Sequence, residues 1–254
     1  MEERENRGGE DLVAGRNAVA EALRAGRPLD SVLIARGERS GSLVALAAKC
    51  RERGIPVKEV DPRKLDALCG PNHQGIAAVA ACREYATLDD LFDLARERGE
   101  PPFLVICDEL EDPHNLGAVV RTAEAAGAHG VIIPKRRSAG LTAAVYKASA
   151  GAVEYLPVAR VPNIAEAIRE IKKRGVWVYG LDMDGDTWCQ TDLRGALALV
   201  VGSEGRGIGR LVREQCDGVV SLPMHGRINS LNASVACGIL LYEAARQRAG
   251  LSGR

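Results

Sequence analysis

Residues 103–134 read FLVICDELEDPHNLGAVVRTAEAAGAHGVIIP. The apolar run at 103–108 predicts a strand, AVVRTAEAAGA (118–128) a helix, and GVIIP (130–134) a second strand. Both strands are continuous Val/Ile/Leu-type runs, without the alternation of a half-exposed strand. That pattern signals a parallel sheet covered by helices on both faces.

The same alternation extends towards the C-terminus. Helices are predicted at 141–151, 164–175 and 230–248, and strands at 154–159, 176–181, 196–202 and 218–223. Upstream, residues 84–102 are charged, contain a helical pattern over 87–100 and end at Pro101-Pro102, which cannot continue a helix. They read as a linker. Residues 11–83 form a second, smaller α/β unit, with helices at 15–26, 42–54 and 61–70 and strands at 31–35, 55–60 and 75–81. Asp61 is the N-cap of the last helix, with Pro62 in its first turn. Residues 1–10 alternate acid, base and Gly and read as a frayed tail. The expectation is an α/β protein: tail, small N-terminal domain, linker, and a larger parallel-sheet domain over 103–254.

The 254 residues carry 34 Lys and Arg against 34 Asp and Glu, and 46% are apolar. This excludes disorder and argues against a protein that coats nucleic acid by bulk charge. Aromatic residues make up 4%, too few for a platform that stacks single strands. Seven cysteines in no C-x-x-C spacing and four scattered histidines give no metal site and no disulfide framework. No apolar run reaches the roughly 18–20 residues that span a bilayer. The charged N-terminus lacks the apolar core of a secretory signal, so the expected compartment is the cytoplasm.

Three strand-following loops carry more chemistry than a connection needs. The first is Asp108 to Gly117, with Asn115 at or near a helix N-cap and Arg121 one to two turns on. The second, Gly202-Ser203-Glu204-Gly205-Arg206-Gly207-Ile208-Gly209, lets a backbone approach a ligand closely. It is neither G-x-G-x-x-G nor a P-loop, and it lies near the C-terminus instead of in a first βα turn. The third runs from Leu222 through Met224 and Ser230, read as an N-cap, to Asn232. Each loop alone also reads as a capped or glycine-rich connection.

Together they resemble the three motifs of the SpoU (TrmH-like) class of SPOUT RNA 2′-O-methyltransferases: D-P-x-N-x-G followed by R-T-A, then G-S-E-G-x-G, then P-M-x-G-x-x-x-S-L-N. The resemblance covers residues 103–248. Gly15-Arg16-Asn17-Ala18-Val19 and His73-Gln74-Gly75 are similar to the RNA substrate-binding domain of the class, over 11–83. With Glu243-Ala-Ala-Arg-Gln-Arg248, the chain is most similar to the bacterial enzymes that methylate a guanosine of 23S ribosomal RNA.

The resemblance implies a SPOUT domain with a C-terminal trefoil knot, a feature the general rarity of knots would otherwise exclude. It also implies S-adenosylmethionine as methyl donor, held by Leu181, Gly202, Ser203, Gly205, Leu222, Met224 and Leu231. The catalytic residues it implies are Asn115, Arg121, Glu204, Ser230 and Asn232. Arg121 is then either the acceptor of the ribose proton or a cation that stabilises the alkoxide, the second being the natural role of a permanently charged guanidinium. RNA phosphates would meet Arg16, Lys135, Arg136 and Arg137. A homodimer is implied, with the 231–248 helix as an interface element, and neither metal nor membrane. The alternatives are a tRNA 2′-O-methyltransferase of the same class, a non-catalytic RNA-binding or ribosome-assembly protein retaining the fold, and a Rossmann-type enzyme acting on a small molecule. Basic and acidic residues number 14 and 13 in residues 1–85 and 18 and 16 in residues 101–254. RNA binding must therefore use local groups rather than net charge.

Overall fold

The computed structural model describes residues 12–38, 40–203 and 205–251; the expected tail over 1–10 and Glu204 lie outside them. The chain divides into two compact units, the first comprising residues up to Glu84 with Gly140–Ala143, the second Tyr85–Ala139 with Ala144 onwards.

The first unit is built on a four-stranded sheet. Its elements are β1 (Leu12–Ala14), α1 (Arg16–Arg24), β2 (Leu29–Ala35), α2 (Gly41–Glu52), β3 (Val57–Val60), α3 (Pro62–Cys69) and β4 (Ile76–Ala80). Strand order is β1-β4-β2-β3, with β4 antiparallel to both neighbours and β2 parallel to β3. β2 is buried along its whole length because both faces are covered. Val32 and Ile34 meet Val19, Leu23, Leu43 and Leu46 of α1 and α2, while Leu33 and Ala35 meet Leu65 of α3. Asp61 caps α3 by accepting from the Arg63 amide, as its sequence predicts. The three-residue β1 was not foreseen; it is too short to show a period and is held by β4 alone.

The second unit holds a six-stranded, all-parallel sheet of order β10-β8-β9-β5-β6-β7. Its elements are α4 (Leu88–Arg98), β5 (Phe103–Cys107), α5 (Pro113–Ala125), β6 (Gly130–Pro134), α6 (Ala143–Ala148), β7 (Val158–Val161), α7 (Ile164–Lys173), β8 (Trp177–Thr187), β9 (Leu197–Val201), α8 (Arg210–Arg213), β10 (Gly218–Ser221) and α9 (Ala233–Arg248). Alternate residues of β5 serve opposite faces. Leu104 and Ile106 join a core with Leu91 of α4, Ile164, Ile168 and Ile171 of α7, and Val212 of α8. α5 and α9 pack against each other, and Leu116, Val119, Val120, Leu240 and Leu241 are buried on them.

Five expectations change. Residues 84–102 are not a free linker: α4 carries a Thr87–Asp90 capping box, and fully buried Leu91 fills the space a side chain at Gly130 would need. α5 begins at Pro113, five residues before the predicted helix, because Asp112 caps it and proline fits the first helical position. α9 begins at Ala233 with Asn232, not Ser230, as its cap. β8 extends six residues beyond its predicted end at Leu181. It pairs with β10 at Tyr179–Gly180 and again at Asp186–Thr187, so the intervening residues leave the ladder. The predicted 154–159 strand is a 3-10 turn at Ala152–Glu154 followed by β7.

Candidate active site

The glycine-rich segment after β9 is a turn folded onto itself. The Ser203 and Gly207 amides donate to each other's carbonyls at 3.1 and 3.0 Å. A Cβ on Gly202 would stand 2.1 Å from the Gly207 carbonyl carbon, so glycine is required there. Gly207 has φ 66°, in the left-handed region that only glycine enters freely. The turn's far end is held by Asp108, the first residue of the first motif loop, whose Oδ2 accepts from the Gly209 amide at 2.8 Å. Burial pushes the Asp108 carboxyl above its ordinary pKa, against the lowering effect of that hydrogen bond, while Glu109 nearby adds to the rise.

The β8 excursion is pinned by Arg213 of α8, whose Nη1 lies 2.9 Å from Asp182 Oδ2 and 2.8 Å from Asp184 Oδ1. Asp182 also borders Gly207, where a Cβ would fall 3.6 Å from its Oδ2. Neither Asp108 nor the Asp182–Arg213 pair was anticipated. Their only sequence signal is position, Asp108 ending a strand and Asp182 following Leu181.

Excursion, glycine turn and the 222–232 loop enclose a cleft of about 630 Å³, within the size range of small-molecule sites. All seven residues assigned to the methyl donor line it: Leu181, Gly202, Ser203, Gly205, Leu222, Met224 and Leu231. So do Ser230 and Asn232. Leucine and methionine side chains beside close-packed backbone suit an adenosyl group, and Asp182 supplies the cleft's carboxylate among the described residues.

Asn115 and Asn232 are brought together, but by bonding to one another. Asn232 Oδ1 accepts from the Ser234 and Val235 amides, and its Nδ2 donates to Asn115 Oδ1 at 2.9 Å. Asn115 is buried in the first turn of α5, not at its cap. Arg121 is exposed two turns along α5, lies outside the lining of the cleft, and makes no hydrogen bond or ion pair among the described residues.

The basic residues separate by environment. Arg136 and Arg137 are exposed and Lys135 half-buried, at the end of β6, and Arg137 Nη1 donates to Glu109 Oε1 at 2.9 Å. Arg16, in the first unit, spends three donors internally, on the Gln74 carbonyl, Ser42 Oγ and Glu38 Oε1. His73 is likewise satisfied locally, accepting from the Gly75 amide and facing Asp66. Among the described residues there is no cluster poised to hold a metal ion, and no helix long and apolar enough to cross a membrane.

A parallel sheet with a glycine turn and a small-molecule-sized cleft beside it defines an α/β ligand-binding site; comparison with known proteins specifies the class. The family model described as SpoU rRNA Methylase matches residues 102–242, and that described as RNA 2′-O ribose methyltransferase substrate binding matches residues 12–86. The chain is 49% identical over 239 residues to Bacillus subtilis YacO, which carries the name of a TrmH family tRNA/rRNA methyltransferase, covering 94% of this chain and 96% of that one. The structure of the SpoU methyltransferase AviRb from Streptomyces viridochromogenes in complex with AdoMet superposes with a TM-score of 0.60 at 29% identity, over 98% of this chain and 95% of that one. An AdoMet-bound rRNA methyltransferase from Sinorhizobium meliloti gives 0.58 at 27% identity, over 96% and 88%. The chain belongs to the SpoU rRNA Methylase family and is an S-adenosylmethionine-dependent RNA methyltransferase.

Proposed function

We propose that the protein methylates a ribose 2′-hydroxyl of RNA, and that the ribose belongs to a guanosine of 23S ribosomal RNA. The observation that carries the reading is the cleft: every residue the family resemblance assigns to the donor lines it, together with Ser230 and Asn232. The rRNA target is favoured by the S. meliloti rRNA methyltransferase, which matches both units of this chain.

Bound S-adenosylmethionine supplies an electrophilic methyl group on a sulfonium. The protein's part is to hold the ribose oxygen in line with that group and to stabilise the charge that develops as the hydroxyl proton leaves. Arg121 enters as an unpaired cation, binding the phosphate beside the target ribose and stabilising the oxyanion. Ser230, on the wall of the cleft, contacts the sugar. Asn115 and Asn232 act through their mutual bond, fixing the first turns of α5 and α9 so that Arg121 and the 222–232 loop keep their separation. Glu204 belongs to the same catalytic set.

The same reading extends to the assembly. β9 inserts between β5 and β8, the chain then crosses to the β10 edge, and α9 returns to pack on α5. Such a path supports a C-terminal trefoil knot. Val235, Ile239 and Tyr242 form an exposed apolar stripe on α9 at helical spacing, which supports a homodimer through that helix. In the division of labour, residues 11–83 select the RNA, 103–254 carry out the transfer, and the enzyme acts in the cytoplasm. Lys135, Arg136 and Arg137 contact phosphates, with Arg16 contributing through its remaining donors.

The test uses tritiated donor with unmodified 23S rRNA, 16S rRNA and tRNA transcripts, followed by nucleoside mass spectrometry. Label in 23S rRNA recovered as 2′-O-methylguanosine is expected. Label in tRNA alone, or on a base, overturns the proposal.

A further inference from the structure

A second cavity, of about 540 Å³, adjoins the donor cleft and shares Ser203 and Arg206 with it. Among the described residues, the rest of its lining is Glu109, Leu110, Glu111, Asp112 and Arg137. Its charged groups are not equivalent. Asp112 caps α5 through the His114 amide at 2.9 Å, and Glu109 is paired with Arg137. Glu111 and Arg206 make no hydrogen bond or close ion pair among the described residues, although the Glu111 charge acts on Arg137 from nearby, so the hydrogen-bonding edge of one carboxylate and one guanidinium is open beside an already formed pair.

We infer that this cavity receives the base of the methylated nucleotide and that Glu111, beside the Glu109–Arg137 pair, selects guanine. The inference deepens the proposed function and rests on it. A ribose placed against the donor's methyl group holds its base one glycosidic bond away, so the base must occupy space bordering the donor cleft. The cavity that shares Ser203 and Arg206 is that space, and a base must leave its stack to enter it.

The lining then discriminates by chemistry. Guanine presents N1–H and N2–H₂ side by side, two donors that one carboxylate accepts together, and on its other edge the O6 and N7 acceptors that a guanidinium fork meets. Adenine would turn its N1 lone pair, and cytosine its N3 lone pair, against the carboxylate. Uracil offers a single N–H between two carbonyl oxygens. Only guanine satisfies acid and base at once. A neutral or purely basic cavity would hold any base, and would be expected of an enzyme that reads only the RNA backbone.

The experiment titrates full-length protein with guanosine, inosine, adenosine and uridine 5′-monophosphates, followed by backbone amide NMR, in the wild type and in Glu111→Gln. Inosine keeps N1–H and lacks the 2-amino group. In the wild type, the guanosine nucleotide is expected to shift the amides of residues 109–112 and 203 and to bind roughly tenfold or more tightly than inosine, the effect of one hydrogen bond to a charged group. In Glu111→Gln that preference should disappear. Equal affinity for all four nucleotides, a guanine preference that survives the substitution, or shifts confined to other residues overturns the inference. No methyl is transferred here, so the result stands apart from the RNA assay. An enzyme that labels guanosine in RNA yet binds the nucleotides alike retains the functional reading and loses this one.

Discussion

Asn232 Nδ2 donates to Asn115 Oδ1 at 2.9 Å, joining the first turns of two helices 117 residues apart. Asn232 is also the cap of α9, through the Ser234 and Val235 amides. Asn232→Ala removes both functions, and a lost cap alone costs about 0.5–2 kcal/mol. Asn115→Ala removes one partner and leaves the α9 cap intact. The two substitutions should couple by about 0.5–3 kcal/mol in a double-mutant cycle of urea unfolding. Additive losses would mean that each asparagine acts alone, as separate caps would.

Arg121→Ala should abolish methyl transfer to RNA while leaving donor affinity unchanged by calorimetry. The side chain is exposed and stands outside the cleft lining, so nothing the donor touches is removed. Arg121→Lys keeps the charge and loses the fork that grips a phosphate, so it should retain partial activity with a raised KM for RNA. Loss of donor binding in a folded Arg121→Ala protein would take the residue out of the proposed role.

Much of this site was legible because strand-ending loops of a parallel sheet converge on one edge. The donor assignments of Gly202, Ser203 and Gly205 rest on the family resemblance, while the glycines at 202, 205, 207 and 209 could be read from the sequence, since a glycine turn must be encoded locally. Asp108 and Asp182 could not. The partners that give them meaning, Gly209 and Arg213, lie 101 and 31 residues away, and only the folded path brings them within reach. The reading of 84–102 as a linker failed for a different reason. α4 is strongly charged, and only Leu91 and Ala95 are buried on it, with Leu88 and Phe92 half-buried against the core.

Gly202→Ala tests the close packing of the glycine turn. Its new Cβ would meet the Gly207 backbone at 2.1 Å, and backbone cannot swing aside as a flexible side chain can. The turn must open, moving the Ser203 and Gly205 groups that line the cleft. Donor affinity should fall by about tenfold or more, as measured by calorimetry, while far-ultraviolet circular dichroism stays that of the wild type. Unchanged affinity would show that the turn does not shape the donor site.

Asp108 gives a pH dependence of defined sign. Burial raises its folded-state pKa above the unfolded value, so the native state favours the protonated carboxyl. Its contribution to stability is therefore fully present below the unfolded pKa, about 3.9, and is lost as pH rises through the folded value. Asp108→Asn keeps an oxygen for the Gly209 amide and cannot ionise. Relative to the wild type, the variant should gain stability between pH 4 and pH 7 in urea unfolding. A difference that is flat across that range would contradict the assigned environment.

Leu91→Ala measures whether α4 belongs to the sheet it covers. Leu91 is fully buried, joins the core with Leu104, Ile106 and Ile168, and occupies the space opposite Gly130. A tethered but unpacked linker helix would lose almost nothing on truncation, as at surface sites, where changes stay within about 0.5 kcal/mol. A core leucine loses its transfer free energy and leaves a cavity, together about 2–5 kcal/mol. Urea unfolding should give the larger value, with a midpoint shifted at unchanged slope. Gly130 has no side chain with which to refill the space, so the cost should lie in the upper part of that range, and Gly130→Ala should be destabilising on its own by forcing Leu91 outward.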